Sequence, residues 1–233
     1  MPTVKIYADC ADLAHIERYA QRPDVNGFTT NPVLLRDCGT VDYPSYVRRL
    51  AELTGSRPVS LATLAADPDG IRARAHEIAA WHPHAYVKVP VVGAQGERNA
   101  SLIGDLAADG IRVNATAVFT EKHVEEVLDS VGPTAPLIVS VFAGRIADTG
   151  RDPVQAVRAA VALCAAFPAV EVLWASSREV YNVVQAAEAG SDIITLPPPL
   201  LDRLANFERD LDEYASATVA EFDAAALEVH SGR

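Results

Sequence analysis

The chain of 233 residues is 49% hydrophobic and 22% charged, the balance of a soluble globular protein long enough to bury one substantial core. A net charge of -11 leaves no surplus of Lys and Arg to displace counterions from a nucleic acid, which excludes a nucleic-acid partner but not a local basic pocket. Cys10, Cys38 and Cys164 show no metal-ligand spacing, MPTVKIYADCADL lacks the segments of a signal peptide, and no apolar run approaches membrane length, so a cytoplasmic protein with reduced thiols and no membrane partner is expected.

From the N-terminus, β-rich runs alternate with segments of helical apolar spacing. VKIYA (4–8) precedes ADLAHIERYAQR (11–22), and NGFTT (26–30) precedes YPSYVRRLAEL. PVSLA (58–62) leads into DGIRARAHEIAAW, AYVKVP (85–90) into RNASLIGDLAAD, and IRVNAT (111–116) into KHVEEVLDSV. LIVSVF (137–142), EVLWAS (171–176) and DIITL (192–196) complete the strands, with PVQAVRAAVALCAAF and EVYNVVQAAEA between them. Eight βα units in this length imply a single α/β domain over 1–233, a closed parallel (β/α)8 barrel. An open doubly wound sheet would carry a Gly-rich phosphate loop after its first strand, and the DCADL found there has no glycine. Helical spacing continues through 200–233, a C-terminal extension of one or two helices expected to pack on the barrel or on a neighbouring subunit.

AYVKVP sets a lysine inside an apolar, β-branched run. Alternation turns Val87 and Val89 one way and Tyr86, Lys88 and Pro90 the other, so valines facing the helices would send Lys88 into the lumen. Desolvation there would lower its pKa and make a neutral, nucleophilic amine accessible for Schiff-base chemistry on a ketone. The competing reading is a strand lysine that snorkels to solvent or pairs with a carboxylate. Polar residues also end other strands, where βα loops of barrels build active sites: Asp9, Thr30 and Asn31, Asn114 and Thr116, Ser140, and Ser176 with Arg178. Asn31, Asn114 and Asp9 are each equally readable as a helix cap or turn former, but capping alone does not predict one polar group after so many strands.

KIYADCADL, GFTTNPVLL, YVKVP, GIRVNATAVFT, IVSVFAGRIADTGRDP and VLWASSREVYNVVQAAEAGSDIITL, in this order, resemble the transaldolase family, including its short-chain members and the fructose 6-phosphate aldolases. The resemblance implies a cofactor-independent, metal-free enzyme that transfers a dihydroxyacetone unit between phosphorylated sugars. Lys88 would form the Schiff base, Asp9 would assist proton transfer, and Thr116 would help place a catalytic water. Asn31, Asn114 and Ser140 would hold the dihydroxyacetone hydroxyls, with Thr30 and Phe142 in the same substrate region. Arg145, Ser176 and Arg178 would bind the sugar phosphate, a task suited to guanidinium groups, although Arg145 could instead pair with Asp148 or Asp152. A homo-oligomer is expected by the same likeness.

Two positions depart from the family pattern. Where members carry a Glu or Gln on the third strand, in a sequence like Val-Ser-Leu-Glu-Val, this chain has Ala62, and Val92 stands where many have Thr. General acid–base assistance is worth about two to four orders of magnitude in rate, so the loss at Ala62 implies slower turnover or an altered substrate unless a shifted register brings in Thr63. The alternatives left open are a lyase that releases free dihydroxyacetone and a non-catalytic sugar-phosphate-binding relative. LPPPLLDRL does not decide between the branches.

Overall fold

In the computed structural model, which describes residues 3–230, eight parallel strands close on themselves in sequence order. They are β1 (Lys5–Asp9), β2 (Val25–Thr29), β3 (Val59–Ala62), β4 (Ala85–Pro90), β5 (Val113–Val118), β6 (Leu137–Val141), β7 (Val170–Trp174) and β8 (Ile193–Leu196), with β8 returning to β1. Residues 1–2 and 231–233, the outer ends of the expected domain and extension, lie outside the described residues.

Helices follow the strands because the connecting segments supply apolar stripes and several of them also supply a start signal. Tyr43–Thr54, Pro68–Trp81 and Pro153–Cys164 begin after Asp42, Asp67 and Asp152, whose carboxylates accept backbone N–H groups of the first turn, and a proline occupies an early position in each. Their inward residues, such as Val47, Leu50, Ile71, Ile78 and Val157, pack against outward strand residues, including Phe28, Leu61, Val87, Val89 and Val139, in one continuous layer.

A smaller apolar cluster of Tyr7, Ile138, Leu173, Ala175 and Ile193, with Tyr86 and Phe142 against it, fills the lumen. Gly27 is required beside it, since a Cβ there would lie 2.7 Å from the Tyr7 ring. Lys5 and Glu171 pair across the N-terminal mouth and close that end. The lumen is therefore plugged below and polar above, at the strand ends from which the βα loops emerge.

Past β8 come the helix Pro198–Arg203, a single 3-10 turn and the long helix Leu211–His230, none of whose residues is buried. No helix among the described residues is long and apolar enough to cross a membrane.

Candidate active site

Alternation along β4 decides where the lysine goes. Val87 and Val89 are fully buried in the helix layer, whereas Tyr86, Lys88 and Pro90 belong to the other face. Burying each valine is worth about 2 kcal/mol. A one-residue slip would forfeit both and drive an ammonium into apolar packing at a cost of several kcal/mol, so the valines hold Lys88 in the lumen.

Lys88 Nζ donates to the Thr30 carbonyl oxygen at 2.9 Å. Burial pulls its pKa below the ordinary lysine value, and the charge of Asp9 pulls the other way. Asp9 is displaced in the opposite sense: burial raises its pKa, while the Lys88 charge and a hydrogen bond from Thr29 lower it. Desolvation thus disfavours both charged forms, which brings within chemical reach a neutral amine beside a carboxyl group of raised proton affinity.

The Thr29 hydroxyl donates to Asp9 Oδ1 at 2.7 Å and lies 2.5 Å from the Thr195 hydroxyl. A hydroxyl has one proton to give, so Thr195 donates to Thr29 and Thr29 to Asp9. The register places Thr29 between Asp9 on one side and Ser60 on the other.

A second network fixes Asn114, which is fully buried. Its Nδ2 donates to Ser60 Oγ at 2.9 Å, and its Oδ1 accepts from Ser140 Oγ at 2.8 Å. Held at both ends, the amide cannot turn over. Asn114 is also the register partner of Lys88, so the clamp sits directly beside the amine. Next along β5 the pairing with β6 is irregular between Ala115 and Val118, and Ala117 takes φ 59°. That bulge surrounds Thr116, whose buried hydroxyl has no hydrogen-bond partner among the described residues. A buried orphan hydroxyl is costly and marks a place built for a polar partner.

The arginines stand apart from the amine, on the loops after β6 and β7. Gly144, in the short helix Ala143–Ala147, allows the two loops to touch, because a Cβ there would lie 1.7 Å from the Ser176 carbonyl oxygen and 3.3 Å from Arg178 Cγ. Ser176 sits at φ 66°, a strained conformation for a residue with a side chain. Arg145 projects from the same short helix and is exposed. Arg178 reaches Asp148 at 2.7 Å, so the carboxylate weighed for Arg145 is taken by its neighbour.

A family model described as transaldolase/fructose-6-phosphate aldolase matches residues 6–231. The chain belongs to that family. It is 33% identical over 201 residues to a probable transaldolase of Roseiflexus sp. (strain RS-1), covering 86% of this chain and 88% of the relative. It is 32% identical over 199 residues to a probable transaldolase of Dehalococcoides mccartyi (strain ATCC BAA-2266 / KCTC 15142 / 195), with 85% and 88% covered. Against a probable transaldolase of Methanococcus maripaludis (strain C7 / ATCC BAA-1331) the identity is 28% over 204 residues.

Within this family member, the barrel brings together Lys88, Asp9, Asn114, Ser140 and Thr116. Asn31 caps the helix Pro32–Asp37, its Oδ1 accepting from Leu34 N at 3.0 Å, so its amide nitrogen remains its donor. Phe142 is half-buried, with its ring centroid 5.7 Å from that of Phe119. Thr30 does not join through its side chain: its hydroxyl is turned to the Ser60 carbonyl oxygen at 3.3 Å, and only its own carbonyl reaches Lys88. Parity is the reason, since Thr29 takes the lumen-facing place in the Thr-Thr pair.

Thr29, Ser60 and Thr195 are members of the lumen hydrogen-bond networks that sequence reasoning missed. Their signal was a small polar side chain at the lumen parity of an otherwise apolar strand. Ala62 is the β3 register partner of Lys88, so the register is unshifted and Thr63 does not take its place. Tyr43 donates to the Ala62 carbonyl oxygen at 2.6 Å, a bond to backbone that supplies no acid or base to the lumen.

Proposed function

We propose that this protein is a cytoplasmic transaldolase-type enzyme that transfers a dihydroxyacetone unit between sugar phosphates through an imine on Lys88. The observation that carries the proposal is the desolvated Lys88 amine opposite Asp9, with the clamped Asn114 beside it. The neutral amine adds to the ketose carbonyl, and the carbinolamine takes up one proton from solvent and loses water to leave an iminium. Asp9 then takes the proton from the hydroxyl of the carbon being released, and the C–C electron pair flows into the iminium to give an enamine while the aldose departs. The enamine attacks a second aldose, the new alkoxide takes the proton back from Asp9, and water frees the amine. Asn114 and Ser140 hold the hydroxyls of the retained unit, Thr116 orients the water, and Arg145, Ser176 and Arg178 receive the phosphate.

The test is product analysis with fructose 6-phosphate in the presence and absence of erythrose 4-phosphate. Acceptor-dependent transfer with little free dihydroxyacetone is the expected result; release at the same rate without acceptor would make the enzyme a lyase. Ala62 beside Lys88 favours a second reading, a sugar-phosphate-binding relative without turnover, which predicts thermal stabilisation by fructose 6-phosphate unaffected by Lys88→Ala. We also infer a homo-oligomer: Leu211–His230 buries no residue, and Phe222 on it is 66% exposed, so a second copy is its natural cover. Size-exclusion chromatography with light scattering would refute this by returning the monomer mass.

A further inference from the structure

The two arginines of the loop pair are in different states. Arg178 donates through Nη2 to Asp148 Oδ2 at 2.7 Å, with both side chains more than half exposed. Its backbone is held separately, since Arg178 N and Glu179 N both donate to Asn182 Oδ1 at 2.7 and 3.2 Å, and Asn182 Nδ2 is anchored on Gln185. The loop therefore keeps its shape whether or not the guanidinium stays on Asp148. Arg145, three residues before Asp148 on the same short segment, makes no hydrogen bond or ion pair among the described residues. Asp148 terminates that helix, with its N–H bonded to the Gly144 carbonyl oxygen, and so it stands on the element that carries Arg145 and abuts Arg178 Cγ.

We propose that Asp148 is a positioning residue that competes with the substrate phosphate for Arg178, so that Arg178 is an arm exchanged between the carboxylate and the phosphate. This rests on the assignment of Arg145, Ser176 and Arg178 to the phosphate. An ion pair this exposed is weak, whereas a phosphate dianion offers a guanidinium two charge-assisted hydrogen bonds and the company of Arg145. The exchange therefore runs towards phosphate once ligand is present and returns to Asp148 when product leaves. The carboxylate also lowers the net positive charge of the site, which weakens retention of any phosphorylated ligand. Asp148 thereby sets affinity through charge and release through competition, without contact to the reacting carbon.

Calorimetric titration with inorganic phosphate at low ionic strength tests this on the whole chain, comparing wild type with Asp148→Asn, Asp148→Ala and Arg178→Ala. Both Asp148 variants should bind phosphate about two- to fivefold more tightly, the worth of a lost exposed pair, and Arg178→Ala should bind more weakly than wild type. The KM for fructose 6-phosphate should fall in the Asp148 variants by a similar factor, with the KM for unphosphorylated fructose not following. A brace that merely supports Arg178 gives the opposite sign. Weaker or unchanged phosphate binding in both Asp148 variants, no measurable binding to wild type, or binding indifferent to Arg178→Ala overturns the proposal. Borohydride trapping of dihydroxyacetone on Lys88, which needs no phosphate, is independent: an adduct alongside a failed titration removes only the role of Asp148, and a missing adduct removes the reading beneath it.

Discussion

Replacing Asp9 by Asn should separate imine formation from turnover. The change is isosteric, and Asn Oδ1 still accepts the Thr29 hydroxyl that lies 2.7 Å from Asp9 Oδ1. A charge-assisted hydrogen bond becomes a neutral one, which costs about 1 kcal/mol, but a buried carboxylate is removed at the same time. For a chain of this length the melting temperature should therefore move by no more than about 2–4 °C. The Asp9 charge is the cause that raises the Lys88 pKa against burial, so its removal lets that pKa fall further and leaves more neutral amine near pH 7. Borohydride trapping of dihydroxyacetone on Lys88 should then persist in Asp9→Asn, with its pH profile moved to lower pH. Turnover should fall by about two to four orders of magnitude, because an amide cannot take the substrate proton. The assay pairs adduct mass spectrometry against pH with steady-state kinetics. Trapping and turnover lost together, or a trapping profile moved to higher pH, would refute the reasoning.

Ser60→Ala leaves Asn114 Nδ2 without its acceptor in a fully buried position, which should cost about 1–3 kcal/mol and lower the melting temperature by several degrees; an unchanged melting curve contradicts the clamp. His82 is buried between Thr54 and the His84 N–H, and burial pushes its pKa down to about 4. Because the unfolded chain takes up the proton near pH 6.5 and the folded one only near 4, the His82 contribution to stability should be intact above pH 6.5 and drain away between the two. Denaturant midpoints measured across that window should show the loss in wild type and a flatter profile in His82→Asn, and equal slopes would disprove the assignment. Ala62→Glu places a carboxylate at the β3 register partner of Lys88 and should raise kcat by up to about a hundredfold by restoring a proton relay; an unchanged kcat means the relay lies elsewhere.

The barrel is legible in the sequence because the strands are short β-branched runs and the return segments carry helical stripes, several with their own start signal. Only strand ends shift, by a residue or two, as at β5, where the bulge at Ala117 extends pairing to Val118 without any glycine to announce it. The helices Pro32–Asp37 and Ala143–Ala147 are too short for a 3.6-residue period to show, yet they carry the Asn31 cap and Arg145. Lys88 and Asp9 can be read from parity within their own strands. Thr29 cannot be told from Thr30 in that way, since either threonine suits a strand and only pairing with Asp9 and Ser60 selects one. Ser60 and Thr195 look like ordinary strand residues until closure of the ring brings them to partners 54 and 166 residues away. The hold of Asp148 on Arg178 is equally hidden, because it depends on two loops meeting at Gly144.

The central claim, a nucleophilic amine at Lys88, is tested most directly by reducing the protein with borohydride in the presence of dihydroxyacetone and mapping the adduct. The chain holds three lysines, Lys5, Lys88 and Lys122, so the site of modification is readily assigned. Lys5 is paired with Glu171 and has a raised pKa, which makes it a poor competitor near neutral pH. A single reduced three-carbon unit on Lys88, absent from Lys88→Arg, is the predicted result. An unmodified Lys88 under saturating dihydroxyacetone, or label spread over Lys5 and Lys122 instead, would contradict the account.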